Sequence, residues 1–292
     1  MSEPTESARP IEYRGNCHCG AFKFTFKAPE LKQMFACNCS ICSSNGYLWV
    51  FPASSEDFVV VKGDEDSTLK SYEFAKRGMT HKFCPICGTS VMARMHKPVN
   101  GQSVAINMRA LLDADFSLPV VTSDGAATDP PYQAPAPMDV GTVPEGSTTY
   151  QGHCHCGAVA YTLHSPHEIV EACECNCSIC FRDGALWTYP NETNIVFRGL
   201  DSLTEYTFAS GVVYHGFCKT CGVAIRERFT QPGNIDMALN VRTMTGVELS
   251  KLALEKFDGK AISPAYSRRS RLFGDDLSAN EATWNQVPSL SL

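Results

Sequence analysis

Apolar and polar residues alternate along this chain in short runs: Ala21 to Phe26, Leu48 to Phe51, Phe58 to Val61, Val91 to Met95, Val159 to Leu163 and Ile195 to Phe197. Each run is bounded by Gly, Pro, Asp or Ser, and alternation at this length predicts half-buried β-strands joined by tight turns. The expected fold class is mainly β, mostly antiparallel sheet with few short helices. One stretch reads differently: Val247 to Phe257 has apolar residues at 249, 252, 254 and 257, which predicts a helix late in the chain. No stretch approaches the roughly 18 apolar residues of a membrane span.

The pattern is written twice. GNCHCGAFKF from Gly15 matches GHCHCGAVAY from Gly152, and Cys37-Asn38-Cys39-Ser40-Ile41-Cys42 recurs letter for letter as Cys175-Asn176-Cys177-Ser178-Ile179-Cys180. A Gly (Gly46, Gly184) and a Trp follow each copy. His81-Lys82-Phe83-Cys84-Pro85-Ile86-Cys87-Gly88 pairs with His215-Gly216-Phe217-Cys218-Lys219-Thr220-Cys221-Gly222, and Asn107-Met108-Arg109 with Asn240-Val241-Arg242. The run from Asp124-Gly125 to Tyr132 echoes the run from Asp258-Gly259 to Tyr266. An internal repeat this specific predicts two tandem domains, at 11–132 and 150–274. A Pro-containing linker at 133–149 and a tail at 275–292 complete the chain.

Composition narrows the function classes. With 31 acidic and 25 basic residues the formal charge is −6, which provides no broad field for a nucleic acid or an anionic membrane. The polar Met1 to Pro10 has no apolar core of a signal peptide, so the expected compartment is the reducing cytosol, with the nucleus as the alternative. There, 15 cysteines point to metal rather than disulfides.

Spacing then divides the cysteines. In an extended strand, side chains two apart share a face, so Cys17 with Cys19, and Cys154 with Cys156, can reach one metal while His18 and His155 point away. Cys84 with Cys87, and Cys218 with Cys221, form the CxxCG turn of zinc ribbons, with Gly88 and Gly222 closing the turn. Together the outer elements make one closed four-cysteine zinc site per domain, a structural one. The middle element leaves three thiolates, Cys37, Cys39 and Cys42, or Cys175, Cys177 and Cys180. Its last two cysteines are spaced for a first helical turn, with the first cysteine on the incoming strand. Three ligands plus an open place is the pattern of a catalytic zinc, and three thiolates suit activation of a soft thiol ligand better than hydrolysis. The competing reading closes the tetrahedron with His81, His215 or another side chain and makes both zincs structural. Cys173, standing where the first copy has Phe35, reads as a buried or spare thiol.

These blocks in this order, GxCxCG, CxCSxC followed by a Gly, then FCxxCG, resemble the glutathione-dependent formaldehyde-activating enzyme family, which also contains centromere protein V. The resemblance covers both halves and seven cysteines in each. It implies a zinc-stabilised β-tent fold and two zinc ions per domain, one structural and one catalytic. It also implies a carbon–sulfur lyase or synthase step joining glutathione to formaldehyde as S-hydroxymethylglutathione. Basic residues that often follow CxCSxC in that family, suited to a glutathione carboxylate, have a counterpart in Phe181-Arg182 but not in Ser43-Ser44. A non-catalytic first half is therefore one reading. Two alternatives stay open: a non-catalytic zinc scaffold binding a protein or chromatin partner, and an enzyme of specialised metabolism with another substrate. The sole basic cluster, Arg268, Arg269 and Arg271, reads as a solvated face.

Overall fold

The computed structural model describes residues 9–76, 78–99, 101–127, 131–138, 142–231 and 235–262. The expected tail at 275–292 and the Arg268, Arg269 and Arg271 cluster lie outside the described residues.

The protein is mainly β and consists of two sheet-rich halves. The N-terminal half contains β1 (Ile11–Asn16), β2 (Lys23–Ala28), β3 (Met34–Cys37), β4 (Trp49–Val50), β5 (Phe58–Lys62), β6 (Lys70–Tyr72), β7 (Met79–Phe83), β8 (Ser90–Val99), β9 (Gln102–Asn107) and β10 (Val120–Ser123). The C-terminal half contains β11 (Thr148–His153), β12 (Ala160–Ser165), β13 (Glu171–Cys175), β14 (Trp187–Thr188), β15 (Ile195–Arg198), β16 (Leu203–Tyr206), β17 (Val213–Cys218), β18 (Ala224–Phe229), β19 (Met237–Asn240) and β20 (Ala253–Phe257). Among the described residues the α-helices are α1 (Ser40–Asn45) and α2 (Ser178–Asp183).

Each half builds the same two sheets. A three-stranded sheet, β1-β2-β5 or β11-β12-β15, faces a seven-stranded one, β10-β3-β4-β9-β8-β7-β6 or its repeat β20-β13-β14-β19-β18-β17-β16. All strand pairs are antiparallel except β10 with β3 and β20 with β13. The alternation seen in the sequence becomes in/out burial: Phe24, Phe26 and Ala28 on β2 face the core while Lys27 between them is exposed.

Two local expectations change. Val247 to Phe257 is not a helix but a 3-10 turn at Leu249–Lys251 followed by strand β20, registered from Glu171↔Ala253 to Cys175↔Phe257. Pairing with β13 takes up the backbone groups of this segment, so tertiary context overrides its apolar spacing. β10 does the same beside β3, and both strands run directly into the repeated Asp-Gly. Likewise Cys17 and Cys19 do not share an extended strand. Cys17 follows the end of β1 and Cys19 sits in a tight turn closed by Gly20 N–H donating to the Cys17 carbonyl. The turn brings the two sulfurs to one side all the same.

The halves pack as an internal pseudo-dimer. The C-cap glycines of α1 and α2, Gly46 (φ 54) and Gly184 (φ 61), meet back to back: a Cβ on Gly46 would sit 2.9 Å from the Gly184 carbonyl oxygen. Glycine is required there both by the left-handed φ and by the close approach. Arg109 Nε donates to the Gly46 carbonyl and its Nη1 to the Phe181 carbonyl across the interface, while Arg242 Nε donates to the Gly184 carbonyl. Asn107 and Asn240 hold these arginines by accepting their backbone N–H groups, which explains the repeated Asn-x-Arg. Phe83 and Phe217 cross edge to face at 6.5 Å. The cores interpenetrate: Cys175, Ile179, Cys180 and Trp187 join the apolar cluster of the N-terminal half, and Ile41, Cys42 and Trp49 that of the C-terminal half. Each half therefore rests its middle cysteine element on the other half's core.

Candidate metal centres and active-site cavity

The outer cysteines converge as their spacing predicts. Cys17, Cys19, Cys84 and Cys87 form one four-sulfur cluster and Cys154, Cys156, Cys218 and Cys221 the other. The Cys17–Cys19 and Cys19–Cys84 sulfurs are 3.6 Å apart, and Cys154–Cys156 and Cys156–Cys218 are 3.5 and 3.6 Å apart. A disulfide needs about 2.05 Å. The edge of a zinc–thiolate tetrahedron, from a Zn–S distance of about 2.3 Å, is about 3.8 Å. All fifteen cysteines are free thiols. Register shifts at Lys82/Phe83 and Gly216/Phe217 bend the strands just before the CxxCG turns, where Gly88 and Gly222 both have φ 75. The donor sets thus fit zinc.

The middle cysteines form two three-sulfur clusters, Cys37, Cys39 and Cys42, and Cys175, Cys177 and Cys180. Cys37 and Cys175 end β3 and β13; Cys39 and Cys177 cap α1 and α2; Cys42 and Cys180 lie within the helices. The sulfurs crowd one another. Hydrogen bonding among them pushes Cys37 and Cys177 down, but raises Cys39 and Cys42 and, in the other trio, Cys175 and Cys180. Thiols sharing protons in this way are a group that a dication would allow to ionise together.

The repeated Asp-Gly belongs to this element, a role that its linker-like composition does not suggest. Asn38 Nδ2 donates to Asp124 and Asn38 Oδ1 accepts from the Ala126 backbone, as Asn176 does with Asp258 and the Lys260 backbone. Gly125 and Gly259 are obligatory: a Cβ there would lie 2.3 Å from Cys37 Sγ or 2.5 Å from Cys175 Sγ. The letter-for-letter repeat of Asn and Asp-Gly is the signal of this role that the sequence carries.

His18 and His155 point away from their own sulfur clusters, as expected, and into the other half. His18 bridges Tyr206 OH (3.0 Å) and Ser178 Oγ (2.9 Å), the first residue of α2. His155 bridges Tyr72 OH (2.7 Å) and Ser40 Oγ (2.8 Å) at the start of α1. Burial lowers both to about 3, so both rings are neutral. Each four-cysteine clamp thus braces the middle element of the opposite half.

At His81 and His215, the repeated histidines before the CxxCG turns, the halves diverge. His215 and Glu227 face each other across β17 and β18; Glu227 Oε1 lies 3.0 Å from His215 Nδ1 and accepts from Cys180 Sγ at 3.0 Å. Burial opposes charge on His215, yet the Glu227 carboxylate outweighs it and raises its pKa. His81 faces Ala93 instead, and burial lowers it to about 4. Tyr47, where the second copy has Ala185, stacks on the His81 ring at 5.8 Å, and Trp49 Nε1 donates to Cys42 Sγ. Among the described residues, His215 and Glu227 cluster with Cys180 but not with Cys175 and Cys177 together, and His81 joins no donor cluster. Neither histidine has a ring nitrogen within 4.8 Å of all three sulfurs of its trio. Sequence reasoning misses Glu227, although Ala93 in the aligned position marks a difference between the copies. Cys173 is fully buried on β13 and belongs to no donor cluster among the described residues.

A cavity of about 680 Å³ opens on the second trio. Cys175, Cys177 and Cys180 lie in its wall with His215, Glu227 and Arg182, and Leu111, Leu112, Ala114 and Phe116 reach into it from the N-terminal half.

A duplicated β protein with four-thiol and three-thiol clusters that could hold metal ions, one of them at a cavity, is a protein of a definable class. The glutathione-dependent formaldehyde-activating enzyme family profile matches residues 12–121 and 149–253, and the chain belongs to that family, with two copies of its domain. A crystal structure of a Rhodobacter sphaeroides protein is similar at 28% identity over 36% of this chain and 99% of that one, with a TM-score of 0.33. Among the described residues no helix is long and apolar enough to cross a membrane.

Proposed function

We propose that the protein is a carbon–sulfur lyase or synthase that adds a thiol, glutathione or a relative, to an aldehyde and reverses that addition, working only in its C-terminal half. The carrying observation is the cavity lined by Cys175, Cys177 and Cys180 together with His215, Glu227 and Arg182. Family membership supports the chemistry. In this reading the two units are 11–132 and 150–274, joined by 133–149, and a reducing cytosol keeps the thiols available for metal.

Zinc at Cys175, Cys177 and Cys180 would supply an open position for a soft ligand and favour the thiolate form of an incoming thiol. The four-cysteine clamps and the Cys37, Cys39 and Cys42 centre are structural in this scheme, giving two metals per half. In the addition, the thiol sulfur bonds to the carbonyl carbon and the C=O π pair moves to oxygen. The thiol's proton ends on that oxygen, with His215 and Glu227 the groups beside it. Arg182, on the last turn of α2, offers its guanidinium to a carboxylate of the thiol.

The test is zinc content together with thiol-dependent loss of formaldehyde. Cys177→Ser is expected to lose zinc and more than about a hundredfold of turnover, whereas Cys39→Ser keeps turnover in whatever fraction remains folded. Full metal content in the unaltered protein with no thiol-dependent turnover of any aldehyde would overturn the reading.

A further inference from the structure

The cavity is much larger than formaldehyde requires. At about 680 Å³ it falls within the range of sites for ligands of drug size. Much of its wall away from the thiols is aromatic: Tyr189, Phe208, Phe229 and Phe257, with Phe116 and Phe181 in edge-to-face contact at 4.5 Å. Cationic groups sit to one side, Arg182 on α2 and Lys260 with its Nζ 5.7 Å from the Phe181 ring centroid.

The fold does not demand this wall, because the first copy of the repeat lacks most of it. The positions of Phe181, Phe229, Phe257 and Phe116 are held there by Ser43, Met95, Ser123 and Leu249, and those of Arg182 and Lys260 by Ser44 and Ala126. The β pairings place Met95 opposite Met79 as Phe229 stands opposite Val213, and Ser123 beside Cys37 as Phe257 stands beside Cys175. Tyr189 and Phe208 keep aromatic counterparts in Phe51 and Phe74, so the rings peculiar to the second copy are Phe181, Phe229 and Phe257, joined in the cavity wall by Phe116. Leaving such a surface to water around a one-carbon substrate forgoes its burial, which a ring system would recover through stacking and area.

We infer that the electrophile is an aldehyde carrying an aromatic or comparably large planar apolar ring system, seated against Phe208, Phe229 and Phe257 under the Phe116 loop of the N-terminal half. The inference rests on the thiol-addition reading above. The thiol's carboxylates lie toward Arg182 and Lys260, and its sulfur adds to the carbonyl carbon as the oxygen takes up the thiol proton, giving an S-(1-hydroxyalkyl) adduct with no other co-reactant. The N-terminal half thereby supplies part of the substrate pocket instead of a second active site.

The experiment uses full-length, zinc-loaded protein with glutathione and either formaldehyde or 2-naphthaldehyde, following adduct exchange by proton NMR. Saturation transfer to the unreactive 2-naphthylmethanol reads binding separately. The expected result is 2-naphthylmethanol binding and a kcat/KM for 2-naphthaldehyde at least about tenfold above that for formaldehyde. Phe229→Met and Phe116→Leu, each copying the residue of the other half, are expected to lower the ratio of the naphthaldehyde to the formaldehyde value about tenfold and to weaken 2-naphthylmethanol binding. Formaldehyde turnover without 2-naphthylmethanol binding would overturn this inference and leave the proposed function standing. Absence of turnover with both aldehydes would overturn both.

Discussion

The two halves share a fold, a pair of cysteine clusters and an interface, yet differ at a few side chains around the middle cluster. In the C-terminal half, Glu227 pairs with His215 and contacts Cys180 beside an open cavity. In the N-terminal half, Ala93 takes that position, Tyr47 covers His81, and Cys42 is engaged by Trp49. The comparison separates what gathers the cysteine clusters from what surrounds each middle one. The first is common to both halves; the second differs between them.

The largest effect should fall on what the halves share. Cys84→Ser and Cys218→Ser each open a four-thiol clamp in which a structural zinc would contribute on the order of 10 kcal/mol to folding. Each variant is expected to lose its cooperative thermal transition. Because His18 and His155 brace the opposite half's middle helix, Cys84→Ser should also lower metal at Cys175, Cys177 and Cys180, read by zinc analysis after mild chelation. A clamp variant that unfolds one half and leaves the other fully loaded would break the picture of halves that brace each other.

Next comes the divergent pair. Glu227→Ala, which copies the first half, should cut turnover by about ten- to a hundredfold while zinc content holds. The converse, Ala93→Glu with Tyr47→Ala on a Cys177→Ser background, should leave turnover at background, because the aromatic wall and Arg182 are still missing. Recovered activity would reduce the difference between halves to two residues.

Smaller and symmetric effects are expected at the axis. Gly46→Ala and Gly184→Ala force a Cβ against the facing backbone at 2.9 and 2.8 Å and strain a left-handed φ. Each should cost about 1–3 kcal/mol, measured as a lowered Tm of similar size in the two variants.

The smallest effect has opposite signs in the two halves. His81 is held neutral with a folded value of about 4 against an unfolded value of about 6.5. Its contribution is fully present above about pH 6.5 and is lost as the pH falls through about 4. His215 is raised beside Glu227, so its contribution is present below about pH 6.5 and is lost as the pH rises through its higher folded value. The Tm advantage of the unaltered protein over His81→Phe should shrink on acidification, and over His215→Phe on alkalinisation. Parallel slopes would show that the two histidines sit in equivalent environments.

Much of this architecture is legible in the amino-acid sequence. Cysteine spacing groups the four-sulfur and three-sulfur sets, alternation marks strands β2, β5, β12 and β15, and the repeat requires two equivalent halves, because these are local properties of the chain. Nonlocal properties are not legible. Val247 to Phe257 carries apolar residues at near-helical spacing, and only the open edge of β13 makes it a strand. Spacing turns His18 and His155 away from metal, but a sequence cannot show that they point into the other half. Glu227 lies far along the chain from the cysteine it meets and follows no spacing rule. The sequence by itself determined which thiols gather and that they gather twice. The tertiary structure decided what surrounds each gathering, since the cavity beside Cys175, Cys177 and Cys180 is walled by side chains that strand pairing and the packing of one half against the other bring together.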